Sequence, residues 1–341
     1  MARIRFNNAA LVLATLIPIL LVPSCESKKS QPEIHSEATA VSQKLGRAIY
    51  FWKTRFDLNE AELSFLKTYS ITKMYVRMFD VDLDISPAAG PEKVIPVATT
   101  AFVSQKPDSV EIAPTVFITT RAIKGAAAEE GGMAALAGKI VLRVKNMMDY
   151  NELGPFSELQ LDCDWTASTR DDFFALCRQV KTLLKTEGKA VSSTVRLHQL
   201  RQDPPPVDKG VLMIYNTGAL RAAGSRNSIL DIDDVKTYIN GNVNTYRLDL
   251  DFAYPTFGWG VWFRGNEYKG LLHRTDYSDK GLYSTLPDGT YTVEKDHVLE
   301  GHQLVKGDLI RPENSDAGAI ALAMRTATPW NQPQEAYCKH K

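Results

Sequence analysis

Leu159-Gln160-Leu161-Asp162-Cys163-Asp164-Trp165-Thr166, with Ser168, Asp171 and the stripe Phe173, Phe174, Cys177, Val180 and Leu184 behind it, reads as a strand running into a helix. Side chains alternate along a strand, so Gln160, Asp162 and Asp164 share one face and Leu161 and Cys163 the other. Ser168 and Asp171 have capping-box spacing, and residues 173–184 repeat at helical period. The same alternation recurs along the chain. Predicted strands are Ile49 to Lys53, Met74 to Phe79, Ala113 to Thr119, Leu159 to Asp164, Val191 to Leu197, Val211 to Tyr215, Leu248 to Phe252 and Phe257 to Phe263. Between them lie a helix opened by Asn59 and Glu62, a long one from about Ala126 to Met148 interrupted at Gly131-Gly132, and one over Asp231 to Tyr238. Eight strands in β/α order predict an α/β fold, a (β/α)8 TIM-type barrel. Val94 to Ser104 is expected to be an inserted hairpin, and the chain from about residue 265 a C-terminal appendage with an outer helix around Asp316 to Arg325. An open doubly wound sheet would need a glycine-rich loop after the first strand, and Lys53-Thr54-Arg55-Phe56 is not one.

The 341 residues include 40 basic and 40 acidic side chains, which argues against a polycationic nucleic-acid binder. With 44% apolar and 23% charged residues, the composition is that of a folded body with a sizeable core. Arg3 and Arg5 precede the apolar run Ala9 to Val22, the pattern of a signal peptide and too short for a comfortable membrane span. That run ends in Leu21-Val22-Pro23-Ser24-Cys25, which resembles the bacterial lipobox; an ordinary secretory signal with a chance cysteine is the alternative. The resemblance implies a lipid on Cys25, a membrane anchor on an exported envelope protein, and a periplasm-facing or surface location. Glu26-Ser27-Lys28-Lys29 has no acidic run, which leans toward the periplasm. Residues 26–45 read as a flexible tether and 46–341 as one domain. Cys163, Cys177 and Cys338 then remain, an odd number; Cys163 and Cys177 are either two buried small hydrophobes or a bridge.

In such a barrel the working end is the C-terminal one. Alternation points Asp162 and Asp164 inward from the fourth strand, Thr194, Arg196 and His198 from the fifth, and Asp249 and Asp251 from the seventh. Arg77 shares a face with Tyr75 and Phe79, and either Trp52 or Lys53 faces in. Trp259, between Gly258 and Gly260, is the best candidate for a flat platform; Trp262 reads as packing. Asp80, Asp82 and Asp84 lack the glycine and distal glutamate of a calcium loop and read as a solvated acidic edge, so no metal or other cofactor is expected.

The segment Leu159 to Thr166 with Ser168-Thr169-Arg170 resembles a bacterial domain family with a glycosidase-like barrel. The wider chain, through Tyr50-Phe51-Trp52, Met74-Tyr75-Val76-Arg77 and Gly258-Trp259-Gly260-Val261, is similar to lipoproteins of Bacteroides-type bacteria. More distantly, Asp162-x-Asp164-Trp165 and Met213-Ile214-Tyr215-Asn216-Thr217-Gly218 are similar to the strand-four and strand-six motifs of family-18 glycoside hydrolases, the chitinase group. The resemblance makes Asp162 and Asp164 supporting aspartates and Tyr215 a group that holds the reacting sugar. It also exposes a departure: the family's acid glutamate is Thr166 here, and the aspartate after the tyrosine is Asn216. A hydroxyl is no general acid at neutral pH. If the chain hydrolyses a glycan, Asp164 is the first candidate acid, raised by repulsion from Asp162, with Asp251 as partner carboxylate. Arg77, Asp162, Arg196, His198, Tyr215, Asp249 and Trp259 would then contact the sugar. A noncatalytic glycan-binding lipoprotein, or a structural envelope component whose aspartates and arginines only neutralise one another, are the alternatives.

Overall fold

The computed structural model describes residues 46–84, 94–224, 226–273 and 276–327, with the backbone of the strand Ala336–Lys339. The signal segment, Cys25 and the tether lie outside the described residues, as does the Cys338 side chain. Eight parallel strands make a ring: β1 (Arg47–Phe51), β2 (Ile71–Leu83), β3 (Glu111–Ile118), β4 (Glu158–Asp162), β5 (Ala190–Arg196), β6 (Lys209–Met213), β7 (Leu250–Pro255) and β8 (Ala336–Lys339). Each pairs with the next, and β8 closes the barrel by pairing with both β7 and β1.

The ring corrects one expectation about its last member. Gly258–Arg264, predicted as the eighth strand, belongs to a separate five-stranded antiparallel sheet with Glu267–Leu272, Tyr283–Thr285, Tyr291–Val293 and Leu309–Asn314. The expected appendage is therefore an insertion between β7 and β8. Around Trp262 it has its own small core of Leu272, Tyr277, Tyr283, Val293 and Ile310. Gly260 has no room for a side chain there, because a Cβ would collide with the Tyr277 hydroxyl and Ile310.

Helices α1 (Glu60–Thr68), α2 (Thr120–Ala128), α3 (Gly132–Tyr150), α4 (Arg170–Lys185), α5 (Ile232–Ile239) and α6 (Ala317–Ala327) follow the strands. At α1 the Asn59 side chain accepts from the Glu62 amide at 2.9 Å while Glu62 accepts from the Asn59 amide at 3.1 Å, satisfying donors a helix start leaves open. The expected Ser168 box on α4 does not form: the N-cap is Thr169, whose hydroxyl turns back to the Thr166 amide at 3.0 Å. Gly131, at φ +79°, separates α2 from α3. Among the described residues no helix is long and apolar enough to cross a membrane.

Alternation along the strands sorts the core. Met74, Val76, Ile112, Leu159, Leu161, Cys163 and Val191 pack outward among Phe173, Leu176, Cys177 and Val180 of α4 and the apolar faces of α2 and α3. Ala48, Tyr50, Tyr75, Ala113, Val211, Met213 and Ala253 form a separate cluster inside the ring. Cys163 and Cys177 are buried and free, so the bridge is not made, and burial pushes both thiols up out of the reactive range.

The hairpin expected after β2 takes another form. Val94–Val97 pairs antiparallel with the far end of β2, and Ala101–Phe102 pairs parallel with Arg55–Phe56. Within β2 the register against β3 shifts between Arg77 and Phe79. This bulge sends both Met78 and Phe79 into the outer core and returns Asp80 to the inner side with Arg77.

Candidate functional site

The C-terminal ends of the strands surround a cavity of about 790 Å³. Its floor is aromatic. Trp52, just past β1, lines the cavity and stacks on Tyr50 with ring centroids 5.2 Å apart and planes 7° apart; Tyr50 stacks on Tyr75 at 4.7 Å. The choice between Trp52 and Lys53 is settled in favour of both: each lines the mouth, and the Lys53 ammonium reaches Glu62 at 3.2 Å.

Two arginine–aspartate pairs form separate parts of the wall. Asp162, at the end of β4, accepts from the Thr194 hydroxyl at 2.5 Å and from Arg196 at 2.9 Å on β5. Burial works against the Arg196 charge, but Asp162 above all, then Tyr215 and Asp164, more than offset it and hold the guanidinium charged. From β2, Arg77 grips Asp80 through two nitrogens, one at 2.6 Å, and donates to the Trp52 carbonyl at 3.3 Å. Asp80 is buried, not part of a solvated edge, because the β2 bulge turned it inward. Neighbouring Asp82 is occupied too, accepting from Thr119 at 2.7 Å and pairing with Arg121. Among the described residues no His, Cys, Asp and Glu cluster could hold a metal ion.

Asp164 and His198 stand at the rim. Their nearest atoms are 3.7 Å apart, and both side chains are about half exposed, 61% and 49%. Of the three carboxylates lining the cavity, Asp164 is the one without an arginine clamp in the described structure. Tyr215, Asn216 and Thr217 follow β6 and line the wall beside it, with Phe117, Tyr238 and His273 completing the mouth. Asn216 holds a left-handed backbone, φ +55°, which asparagine tolerates better than most residues.

Arg77, Asp162, Asp164, Arg196, His198 and Tyr215 are thus brought together as the sequence implied. Three others are not. Strand β7 begins at Leu250, two residues later than predicted, which drops Asp249 before its start and puts Asp251 near its N-terminal end. There Asp251 takes the Lys209 ammonium at 2.9 Å; Lys209 also reaches Glu158 at 3.2 Å and the Tyr75 hydroxyl at 3.2 Å. Glu158 bridges on to Lys73 at 3.0 Å and accepts from Ser192 at 2.6 Å. Burial alone would raise the Glu158 carboxyl, yet Lys209, Lys73 and Ser192 carry it below its usual range. The same burial pushes the Tyr75 phenol up, with Glu158 adding to it. This buried charge network belongs to the opposite end of the barrel from the mouth. Trp259 is likewise elsewhere: it sits in the antiparallel sheet, packs on Phe257 and donates its indole N–H to Glu313 at 2.9 Å. Sequence reading missed Lys53's neighbour Thr54, Asp80, Phe117, Tyr238 and His273 as lining residues; for Asp80 the three-residue spacing from Arg77 pointed to the opposite face, and only the β2 bulge brings it in.

Chemically, the mouth offers rigid paired donors and acceptors above an aromatic plane. Such an array suits an uncharged, hydroxyl-rich ring whose apolar face lies on the indole.

Comparisons place the fold among known proteins. No family model matches the chain, and no curated protein matches it. Solved structures do. The spore cortex-lytic enzyme SleL of Bacillus cereus superposes with a TM-score of 0.51 at 13% identity, over 86% of this chain and 70% of that one. A class V chitinase of Pseudomonas fluorescens Pf-5 gives 0.51 at 11% identity, over 86% and 94%. SleL of Bacillus megaterium QM B1551 gives 0.50 at 11% identity, over 87% and 71%. The chain therefore has the α/β barrel fold that these glycosidase-like structures share.

Proposed function

We propose that this chain is a glycoside-hydrolase-like barrel that acts on a glycan by binding it in the mouth over Trp52. The single observation that carries the reading is the pairing of Arg77 with Asp80 and Arg196 with Asp162 around one cavity whose floor is the Trp52 ring. Both pairs are internally neutral, so the walls present hydrogen-bonding edges rather than free charge, as recognition of sugar hydroxyls requires. Binding without turnover is the better supported form. The two deeper carboxylates of the mouth are bound to guanidinium groups, Asp251 is at the far end, and the position corresponding to the family-18 acid is Thr166. A hydrolytic reading is favoured by one observation, the placement of the His198 imidazole and the Asp164 carboxylate 3.7 Å apart at the rim, where both would face a bound ligand.

The test is release of new reducing ends, beside binding, on chitin oligosaccharides, peptidoglycan fragments and N-glycans, with the chain beginning after Cys25 and its Asp164→Asn variant. Saturable binding without release establishes the binder. Release abolished in the variant establishes a hydrolase with Asp164 as its acid. Neither signal from folded protein leaves a structural role. We propose further that a lipid on Cys25 anchors the barrel in the bacterial envelope, facing the periplasm or the surface, with residues 26–45 as the spacer. Cys25→Ser should move the protein from the membrane to the soluble fraction, and persistence in the membrane would refute the anchor.

A further inference from the structure

We infer that Arg311 and Glu313, which do not line the cavity, are positioning residues for it: they hold the lip of the mouth that follows β6. This rests on the reading of the mouth as a binding site.

The lip is the connection from β6 to α5, and its described arms are residues 214–224 and 226–231. The arms are tied at a neck. The Asn216 amide donates to the Ile229 carbonyl at 2.7 Å, the Gly218 amide to Ser228 at 3.3 Å, and the Asp231 amide to the Thr217 hydroxyl at 2.9 Å. Gly218 is needed at this crossing, since a Cβ would meet the Ser228 backbone at 3.0 Å. The neck therefore sets where Asn216 and Thr217 face the cavity.

The antiparallel sheet grips both arms. Arg311 donates to the carbonyls of Ala222 at 2.7 Å, Ala223 at 3.0 Å and Leu220 at 3.2 Å, while its Nε donates to Glu313 at 2.8 Å. Glu313 is all but fully buried, with 1% of its side chain exposed. Its other oxygen accepts from the Trp259 indole at 2.9 Å and from the Ser228 hydroxyl. Asn227 adds a bond from its amide to the Asn314 carbonyl at 2.5 Å, and the Arg221 guanidinium lies 5.4 Å over the Tyr268 ring. One buried ion pair thus joins the carbonyls of one arm to the hydroxyl of the other. A buried carboxylate that loses its guanidinium is strongly unfavourable, so this clamp has one stable arrangement. The inserted sheet is then a working part of the mouth, and ligand contacts of Asn216 and Thr217 depend on residues outside the cavity.

The test is amide hydrogen exchange on Arg311→Met and Arg311→Lys, with titration of tetra-N-acetylchitotetraose followed by tryptophan fluorescence. In Arg311→Met the amides of Asn216 and Gly218 should exchange at least about tenfold faster while β4 and β5 amides keep wild-type protection. Arg311→Lys, which cannot serve three carbonyls and a carboxylate together, should restore part of the protection. Wild-type exchange at Asn216 and Gly218 in folded Arg311→Met overturns the proposal. If that variant does not fold, Trp259→Phe, which removes one N–H from Glu313, decides by the same amides. Weaker binding of the oligosaccharide by a variant with a loosened lip extends the effect to the ligand. If the wild type binds no glycan, the sugar reading falls while the exchange result still decides the clamp.

Discussion

Replacing Glu158 by glutamine should destabilise the barrel from its far end without touching the mouth. The carboxylate has 3% of its side chain exposed and lies between two ammonium groups, Lys73 at 3.0 Å and Lys209 at 3.2 Å, with the Ser192 hydroxyl at 2.6 Å. Removing one partner of a fully buried pair costs about 3–5 kcal/mol. Here the lysines keep 24% and 29% exposure, and Lys209 keeps Asp251, so part of their charge remains compensated. The cost should fall to about 2–3 kcal/mol, which for a domain of roughly 300 residues corresponds to a drop in Tm of about 3–5 °C. The sign with pH follows from the direction of the shift. Because the folded Glu158 carboxyl lies below its usual 4.5, its contribution is present above that value and disappears as pH falls through the folded one. Thermal unfolding of wild type and Glu158→Gln, followed by circular dichroism across acid and neutral pH, should give two curves that are separated at neutral pH and converge in acid. Equal Tm values at neutral pH, or a gap that persists in strong acid, would refute the reasoning.

Three further outcomes are expected. Asp251→Asn should lower Tm, through the loss of a charge beside Lys209, and leave glycan binding at the wild-type level; weakened binding with unchanged stability would bring Asp251 back to the mouth. Trp52→Ala should weaken glycan binding by about tenfold through loss of the stacking plane, measured by calorimetry, and no change would remove the indole from the site. Cys163 and Cys177 should resist a thiol reagent in the native protein and react on denaturation, because burial disfavours both thiolates; rapid native labelling of either would contradict their packing.

Much of this architecture was legible because strand faces and helix stripes are local. The alternation of Gln160, Asp162 and Asp164 against Leu161 and Cys163 survives intact, and with it the fourth wall of the barrel. What was not legible came from register and pairing. A start at Leu250 in place of Leu248 exchanges the mouth for the far end, and nothing in Leu248 to Phe252 marks which residue enters the sheet first. The run Phe257 to Phe263 alternates as well as a barrel strand would, but it pairs antiparallel with Leu309–Asn314, a choice made by partners rather than by its own residues. The bulge at Met78 has no glycine to announce it. Without it, Arg77 and Asp80, three residues apart, would face opposite sides.

The late position of β8 bears on how the chain reaches this state. Seven strands can align in order as the polypeptide emerges, but the seam between β1 and β7 stays open until Ala336–Lys339 arrives and pairs with both. Until then two strand edges present unused amides and carbonyls, the kind of surface on which another unfinished chain can add itself. Closure joins segments near opposite ends of the sequence, a costly loop to form, so it belongs to the slow part of folding. Truncation before Ala336 should accordingly yield aggregation rather than a smaller soluble barrel.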